Sequence, residues 1–136
     1  MKYMLDTNVC IDYLRGNNRG VVERVLECDS YEMCISSITL SELLFGINRS
    51  ADPQKNRSAL YLLLTKLDVM DYGAEASEHY GIIRNDLVKR GLVIGSLDML
   101  IAAHALSEDL ILVTHNTSEF SRIIGLKVED WYNSHL

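Results

Sequence analysis

The sequence has few cysteines, a single proline and no long hydrophobic run, and each of these scarcities excludes a class of protein. Its three cysteines are an odd number without CxxC spacing, so neither a disulfide-stabilised secreted fold nor a cysteine zinc site is predicted. No apolar run approaches the roughly 18 residues of a membrane-spanning helix. The first residues lack the pattern of a secretory signal. We therefore expect a cytoplasmic protein without a membrane segment, in which the cysteines are small apolar residues.

Positive charge is also scarce. The chain has 13 Lys and Arg against 19 Asp and Glu, a formal net charge of −6. This balance disfavours a basic module that binds nucleic acid through its overall charge. Net charge describes long-range attraction, however, and bound cations that neutralised four acids would leave only about −2. A local site for nucleic acid therefore remains compatible with the composition.

Short apolar runs alternate with helical patterns along the 136 residues. The apolar runs predict strands at 3–5, 33–38, 67–72, 110–115 and 126–130. Helical spacing of apolar residues predicts helices around 40–47, 54–66, 76–87 and 97–104, the second of them beginning at Pro53. Because the strand runs are nearly continuous in apolar residues, both faces of the sheet should be covered. The sequence predicts one α/β domain over 1–136, with a parallel sheet of four to five strands flanked by helices on both faces.

Acidic residues follow several of the predicted strands. Asp6 comes directly after the first strand, and Glu42 lies in the predicted first turn of the helix after the second. Asp98 lies in the first turn of a later helix, while Asn116 and Glu119 follow the fourth strand. In open parallel sheets, ligands bind outside the carboxyl ends of the strands, where helix N-termini also point. These side chains are therefore candidates for one shared site.

Helix capping offers a separate explanation for each acid. The segments 39–42 and 116–119 fit capping boxes, in which the acid bonds back to the first amide of its helix. Asp98 near a helix start is favoured by the helix dipole, and Asp6 fits a simple turn cap. The local sequence leaves both explanations open.

The surroundings of two acids favour a shared site. Four residues after Glu42 stands Gly46, and four residues after Asp98 stands Ala102, so small residues leave space beside both carboxylates. Converging carboxylates without cationic partners would repel one another. Oxygen-rich acidic sites suit Mg²⁺ or Mn²⁺. The pattern therefore predicts a divalent metal ion.

Four segments together resemble the PIN domain, in particular the VapC-type toxins of VapBC toxin–antitoxin operons and their enterobacterial-type branch. The segments are MLDTN, SSITLSELLFG, IGSLDMLIAAHA and LVTHNTSEFSRI, in that order along the chain. The resemblance implies a Mg²⁺- or Mn²⁺-dependent endoribonuclease toxin that hydrolyses RNA phosphodiesters and inhibits translation. It also implies initiator tRNA, cut in the anticodon stem–loop, as the expected substrate. The implied catalytic residues are Asp6, Glu42, Asp98 and Glu119.

The resemblance also implies the metal ligands. Asp6 and Asp98 are the expected ligands, with Glu119 or Asn116 as a further one. Many family members have an aspartate where Asn116 stands, and an amide carries no charge and cannot act as a base. We favour Glu119, and Asn116 stays open as the alternative.

Further expectations follow from the same resemblance. Thr7 and Asn8 match positions that support the first aspartate through hydrogen bonds. The expected protein partner is a VapB-type antitoxin, whose C-terminal tail would bring a basic residue to the acidic site. The toxin is expected to form a homodimer that assembles with the antitoxin into a larger hetero-oligomer.

The sequence gives less specific expectations for the histidines and the basic residues. His104 lies on an apolar helical stripe and is predicted to be a packed core or interface residue, whereas His115 ends a strand near the acids and is a candidate substrate contact. Five basic residues are either phosphate contacts or solvated surface charges: Arg49, Lys55, Arg57, Lys89 and Arg90.

Two other functions fit part of the pattern. A phospho-acceptor protein of flavodoxin-like topology would normally carry a lysine after the LILVT strand, where His115 and Asn116 stand instead. A PIN domain that only binds partners is disfavoured because the acids at 6, 42, 98 and 119 are all present.

Overall fold

The computed structural model describes residues 1–133, which form a parallel sheet between two layers of helices. The strands are β1 (Tyr3–Leu5), β2 (Met33–Ser36), β3 (Asp68–Met70), β4 (Ile111–Val113) and β5 (Val128–Glu129), in the order β3-β2-β1-β4-β5. The helices are α1 (Thr7–Arg15), α2 (Arg19–Glu27), α3 (Ser37–Arg49), α4 (Pro53–Leu63), α5 (Ala74–Arg90), α6 (Ser96–Ser107) and α7 (Thr117–Phe120), with a 3₁₀ turn at Ser30–Glu32. The predicted α/β fold is confirmed, with five strands.

Alternate residues of β1 enter two separate cores. Tyr3 and Leu5 pack with apolar side chains of α1 to α4, whereas Met4 faces a second core built mainly from α5 and α6. Successive side chains of a strand point to opposite faces, so a strand that is buried on both faces must be apolar at every position. This explains why the runs of β1 and β2 show no alternation, whereas the edge strand β3 is largely exposed and the expectation of burial is wrong there.

The boundary between β2 and α3 lies two residues earlier than predicted. Ser36 ends the strand and caps the helix, because its hydroxyl accepts a hydrogen bond from the Ile38 amide at 3.1 Å. Thr39 is therefore the third residue of α3, not its cap. Glu42 lies in the second turn of the helix and not in the first, so the capping-box explanation for Glu42 is wrong.

Helix α2 is absent from the sequence predictions. Asn18 caps it, accepting a hydrogen bond from the Val21 amide at 3.2 Å, and only Val21 and Val25 of its residues are buried. Its apolar residues Val21, Val22, Val25 and Leu26 have helical spacing, so the periodic pattern of this helix is present in the sequence. The predicted start at Pro53 is confirmed for α4, with Asp52 as its cap.

The sheet places the ends of β1 and β4 side by side. Leu5 pairs with Val113, so the two strands end at the same level and are followed by Asp6 and Thr114. The chain leaves β1 towards β2 on one side, whereas β4 and β5 lie on the other. Such a switch in strand order opens a crevice at the carboxyl edge of the sheet.

Two of the three cysteines are buried, as small apolar residues are expected to be. Cys10 and Cys34 lie in the core, Cys28 is only partly buried, and all three are free thiols. Over residues 1–133, none of the helices has both the length and the apolar character that crossing a membrane requires.

Candidate active site

Asp6 occupies the crevice between β1 and β4. One oxygen, Oδ1, accepts a hydrogen bond from the Val9 amide at 2.9 Å, so this aspartate does cap α1, and the nearby Thr114 hydroxyl favours the charged form of the carboxylate. The side chain is 6% exposed. Burial raises the pKa of Asp6 to about 6, with a further upward contribution from the charges of Asp98 and Asp12. Capping therefore leaves a buried carboxylate that is poorly stabilised in its charged form.

Glu42 is held by Thr7 from the neighbouring helix. The Thr7 hydroxyl donates to Glu42 Oε1 at 2.6 Å and lies 3.3 Å from the hydroxyl of Thr39. The sequence predicts that Thr7 supports Asp6, and this is wrong, because the Thr7 hydroxyl bonds to Glu42 instead. Within residues 1–133 the side chain of Asn8 makes no hydrogen bond to Asp6, whose Oδ1 accepts from the Val9 amide.

Asp98 lies where α6 begins, as the sequence predicts. It is the third residue of the helix, which starts at Ser96, and its side chain is half-buried. Burial raises the pKa of Asp98, and the negative charges of Glu42 and Glu119 raise it further. Asp98 therefore lies within electrostatic reach of acids that come from two other helices.

Asn116 orients Glu119. Its side-chain amide donates to Glu119 Oε2 at 2.7 Å, and its backbone amide donates to the Thr114 hydroxyl at 3.0 Å. The Asn116 side chain makes no cap bond to α7, so the capping box expected over 116–119 does not form. Thr114 thereby connects Asp6 with Asn116, and Asn116 connects with Glu119.

The four carboxylates form one electrostatically coupled cluster at the carboxyl edge of the sheet. The pKa of Asp6 responds to Asp98, and the pKa of Asp98 responds to both glutamates. Among the described residues none of the four forms a salt bridge. Negative charge is therefore concentrated here without a protein cation to balance it.

This donor set fits a hard divalent cation. Carboxylate oxygens are the preferred ligands of Mg²⁺ and Mn²⁺, and a buried acid with a raised pKa gains most from a nearby positive charge. As the side chains stand in residues 1–133, no three His, Cys, Asp or Glu groups converge closely enough to ligate one ion. Like charges repel, and two of the carboxylates are engaged in hydrogen bonds, Glu42 with Thr7 and Glu119 with Asn116. Binding a cation therefore requires some of these side chains to rotate inwards.

His104 is a core residue, as predicted. It is 1% exposed, its Nδ1 lies 2.8 Å from the Ser36 hydroxyl, and its ring meets Tyr72 edge-on with centroids 5.6 Å apart. Burial lowers its pKa. His104 therefore connects the far half of α6 to the end of β2.

The basic candidates already have neighbours on their own helices. Arg90 forms a salt bridge with Asp86, and the guanidinium groups of Arg49 and Arg57 lie over aromatic rings. Their contact with RNA stays a prediction.

The sequence analysis missed two contributors to the site. Thr114 follows β4 as Asp6 follows β1, so the parallel register of these strands could have found it. No pattern in the sequence around Tyr132 points to a role in the site. Tyr132 approaches from the C-terminal segment, where its hydroxyl donates to Asp12, and it lines an open pocket together with His115 and Asp6.

Comparison with known proteins identifies the family of this chain. The PIN domain family model matches residues 3–126. The chain is 44% identical over 131 residues to the tRNA(fMet)-specific endonuclease VapC of Shigella flexneri, an alignment that covers 96% of this chain and 98% of that protein. The corresponding protein of Salmonella typhimurium is 41% identical over the same shares. This chain belongs to the VapC family of PIN-domain proteins.

Solved VapBC structures share the fold of this VapC-family chain. The DNA-bound VapBC of Salmonella typhimurium superposes with a TM-score of 0.91 at 42% identity, covering 96% of this chain and 98% of that one. The DNA-bound VapBC2 of Rickettsia felis gives a TM-score of 0.87 at 36% identity, covering 96% and 99%. The resemblance found in the sequence motifs therefore extends over nearly the whole chain.

Proposed function

We propose that this VapC-family chain is a divalent-metal-dependent endoribonuclease and the toxin of a toxin–antitoxin module, acting in the cytoplasm as one nuclease domain. The observation that carries the proposal is the coupled carboxylate cluster, which forms no salt bridge within residues 1–133 and lies at the carboxyl edge of a PIN-type sheet. The relatives named as VapC endonucleases and ribonucleases support the same activity.

The proposed ligands of Mg²⁺ or Mn²⁺ are Asp6 and Asp98, with Glu42 and Glu119 completing the cluster. A bound divalent ion supplies Lewis acidity, which activates water and stabilises charge on a phosphate. Two of the acids are positioned by neighbouring side chains, because Thr7 orients Glu42 and the amide of Asn116 orients Glu119. In this arrangement Asn116 is a positioning residue, which favours Glu119 as the further ligand.

The proposed substrate is initiator tRNA, cut in the anticodon stem–loop. The relatives from Shigella flexneri and Salmonella typhimurium are named for that tRNA. A loop is also a physically suitable target, because its bases can turn outwards and leave the backbone accessible. Neutralisation of the acidic cluster by cations would reduce the repulsion between this chain, with a net charge of −6, and the phosphates.

Cleavage of initiator tRNA by purified protein tests the proposal. We expect cleavage with Mg²⁺ or Mn²⁺, none in EDTA, and a loss of at least about a hundredfold in Asp98→Asn. Asp86→Asn is the matched control, since Asp86 is a partly exposed acid of α5 that pairs with Arg90. Elongator methionine tRNA tests the substrate choice. Full activity of Asp98→Asn, or cleavage that persists in EDTA, would contradict the assignment.

We also propose a VapB-type antitoxin as the protein partner, since several solved relatives are VapBC complexes. A groove between α1, α3 and α4 supports this proposal. Ile11, Leu14 and Leu43 give it an apolar lining, and Glu42 lies on its wall. A peptide with apolar residues and one basic residue would complement it. Inhibition of the RNase by the protein encoded beside this chain, and its loss in that protein's basic-to-alanine variants, would test the pairing.

A further inference from the structure

An exposed imidazole lies on a tyrosine ring beside the acidic cluster. The rings of His115 and Tyr132 are stacked, with centroids 4.3 Å apart and an interplanar angle of 30°. One face of the His115 ring is covered by Tyr132, yet 65% of its side-chain surface is exposed. The stacked pair therefore presents a flat aromatic surface to solvent.

Both rings are fixed by hydrogen bonds. The carboxylate of Asp130 serves the two residues at once, because Oδ2 lies 3.0 Å from His115 Nδ1 and Oδ1 accepts from the Tyr132 amide at 2.9 Å. At the other end, the Tyr132 hydroxyl donates to Asp12 and lies 3.4 Å from the carbonyl oxygen of Asn8. An exposed ring that has no task does not need this much support.

The backbone that carries Tyr132 is anchored on both sides. Trp131 is 3% exposed and meets the ring of Tyr3 edge-on at 5.1 Å. Asn133 accepts a hydrogen bond from the Gly20 amide at 3.1 Å. A Cβ at position 20 would lie 2.6 Å from the Trp131 carbonyl oxygen, so the close approach depends on glycine. These contacts fix the position of the tyrosine ring relative to α1 and α2.

The aromatic surface opens into a pocket that holds two of the candidate metal ligands, Asp6 and Asn116. His115, Tyr132, Asp6, Asn8 and Asn116 all line it, together with Asp12. The aspartates make this pocket unfavourable for a phosphate. A nucleobase is uncharged and has a π-face, so it can stack on an aromatic ring beside these acids.

We propose that His115 and Tyr132 form a nucleobase-stacking subsite, which takes one unpaired base of the RNA next to the phosphate to be cut. The inference rests on the proposed ribonuclease function and adds a residue pair that recognises the substrate. A base stacked on His115 would place its own backbone beside Asp6 and Asn116. Any base can stack, so the subsite selects unpaired RNA over duplex RNA more than it selects a sequence.

Variants at His115 separate stacking from hydrogen bonding. His115→Phe keeps a flat ring but loses the bond to Asp130, whereas His115→Ala removes both. We expect about a tenfold increase in KM for His115→Ala with a smaller change in kcat, and near wild-type values for His115→Phe. His79→Ala is the matched control, because His79 is an exposed histidine of α5 outside this pocket.

A fluorescent base reports the stacking directly. Single-stranded RNA carrying 2-aminopurine at successive positions is mixed with each protein, and fluorescence is followed before cleavage. We expect quenching at one position with the wild type, with His115→Phe and with His79→Ala, and none with His115→Ala. Melting curves confirm that each variant is folded.

The outcomes distinguish the subsite from the ribonuclease function. Wild-type KM and quenching in His115→Ala would overturn the subsite, and so would a loss in His115→Phe as large as in His115→Ala. If the wild type cleaves no RNA, or Asp98→Asn cleaves as well as the wild type, the ribonuclease assignment fails instead.

Discussion

At the scale of single residues, the hydroxyl of Thr7 holds the side chain of Glu42 in position. A hydrogen bond to a carboxylate is stronger than one between neutral groups, and the Thr7 bond to Glu42 is 2.6 Å long. Thr7→Val removes the donor and keeps the shape of the side chain, so we expect kcat/KM for RNA to fall by about ten- to a hundredfold. Thr7→Ser keeps the donor and should retain most activity. Equal activities of the two variants would show that the hydroxyl does not matter.

The raised pKa of Asp6 predicts an unusual dependence of stability on pH. In metal-free protein the folded state holds this proton until about pH 6, whereas the unfolded chain loses it near pH 3.8. The free energy of unfolding therefore falls as pH rises from about 4 to about 6, and it stays at the lower value above about pH 6. Asp6→Asn cannot ionise and can still cap α1. In EDTA we expect the variant to be more stable than the wild type at pH 7.5, by up to about 3 kcal/mol.

Urea unfolding at pH 4 and pH 7.5 checks this prediction. The advantage of Asp6→Asn should disappear at pH 4, where the wild-type carboxyl is also protonated in the folded state. A variant that is less stable than the wild type at pH 7.5 would contradict the assigned burial cost.

At the scale of elements, Ser36 connects β2, α3 and α6. Its hydroxyl caps α3 and contacts Nδ1 of the buried His104, two turns along α6 from Asp98. Ser36→Ala removes a helix cap, worth about 1 kcal/mol, and leaves a buried ring nitrogen without its partner, a cost of about 1–3 kcal/mol. We expect a loss of about 2–3 kcal/mol in the free energy of unfolding, measured by urea denaturation.

Ser41→Ala is the control for that experiment. Ser41 is an exposed residue of the same helix, and its hydroxyl donates to the Ser37 carbonyl. A surface change of this kind should alter stability by no more than about 0.5 kcal/mol. If both variants lost the same free energy of unfolding, the contact between Ser36 and His104 would not contribute to stability.

The local pattern predicted the helices and strands well where their apolar faces are wide. Buried strands and amphipathic helices leave strong periodic signals, as β1 and α3 do. Helix α2 was missed although its valines have helical spacing. The start of α3 was misplaced because Ser36 and Thr39 are both good caps, and the packing of Ser36 against His104 decides between them.

At the scale of the whole molecule, the chain exposes large apolar side chains. Phe45 on α3 and Leu62 on α4 are 63% and 70% exposed. Exposed apolar surface favours association, and we propose a homodimer. Sedimentation equilibrium should give about twice the chain mass of 15.4 kDa in free protein. A monomer that persists at high protein concentration would contradict the dimer.

The sequence by itself determined the alternation of strands and helices, with the exception of α2, and placed Asp6 and Asp98 where strands end and helices begin. Periodicity and strand-end position are local properties, and a chain expresses them within a few residues. Only the tertiary structure decided which hydroxyl holds which acid, and that Tyr132 supports His115. Thr7 and Glu42 are 35 positions apart, and Tyr132 and Asp12 are 120 apart. Contacts of that span depend on the packing of the whole fold, which no local pattern encodes.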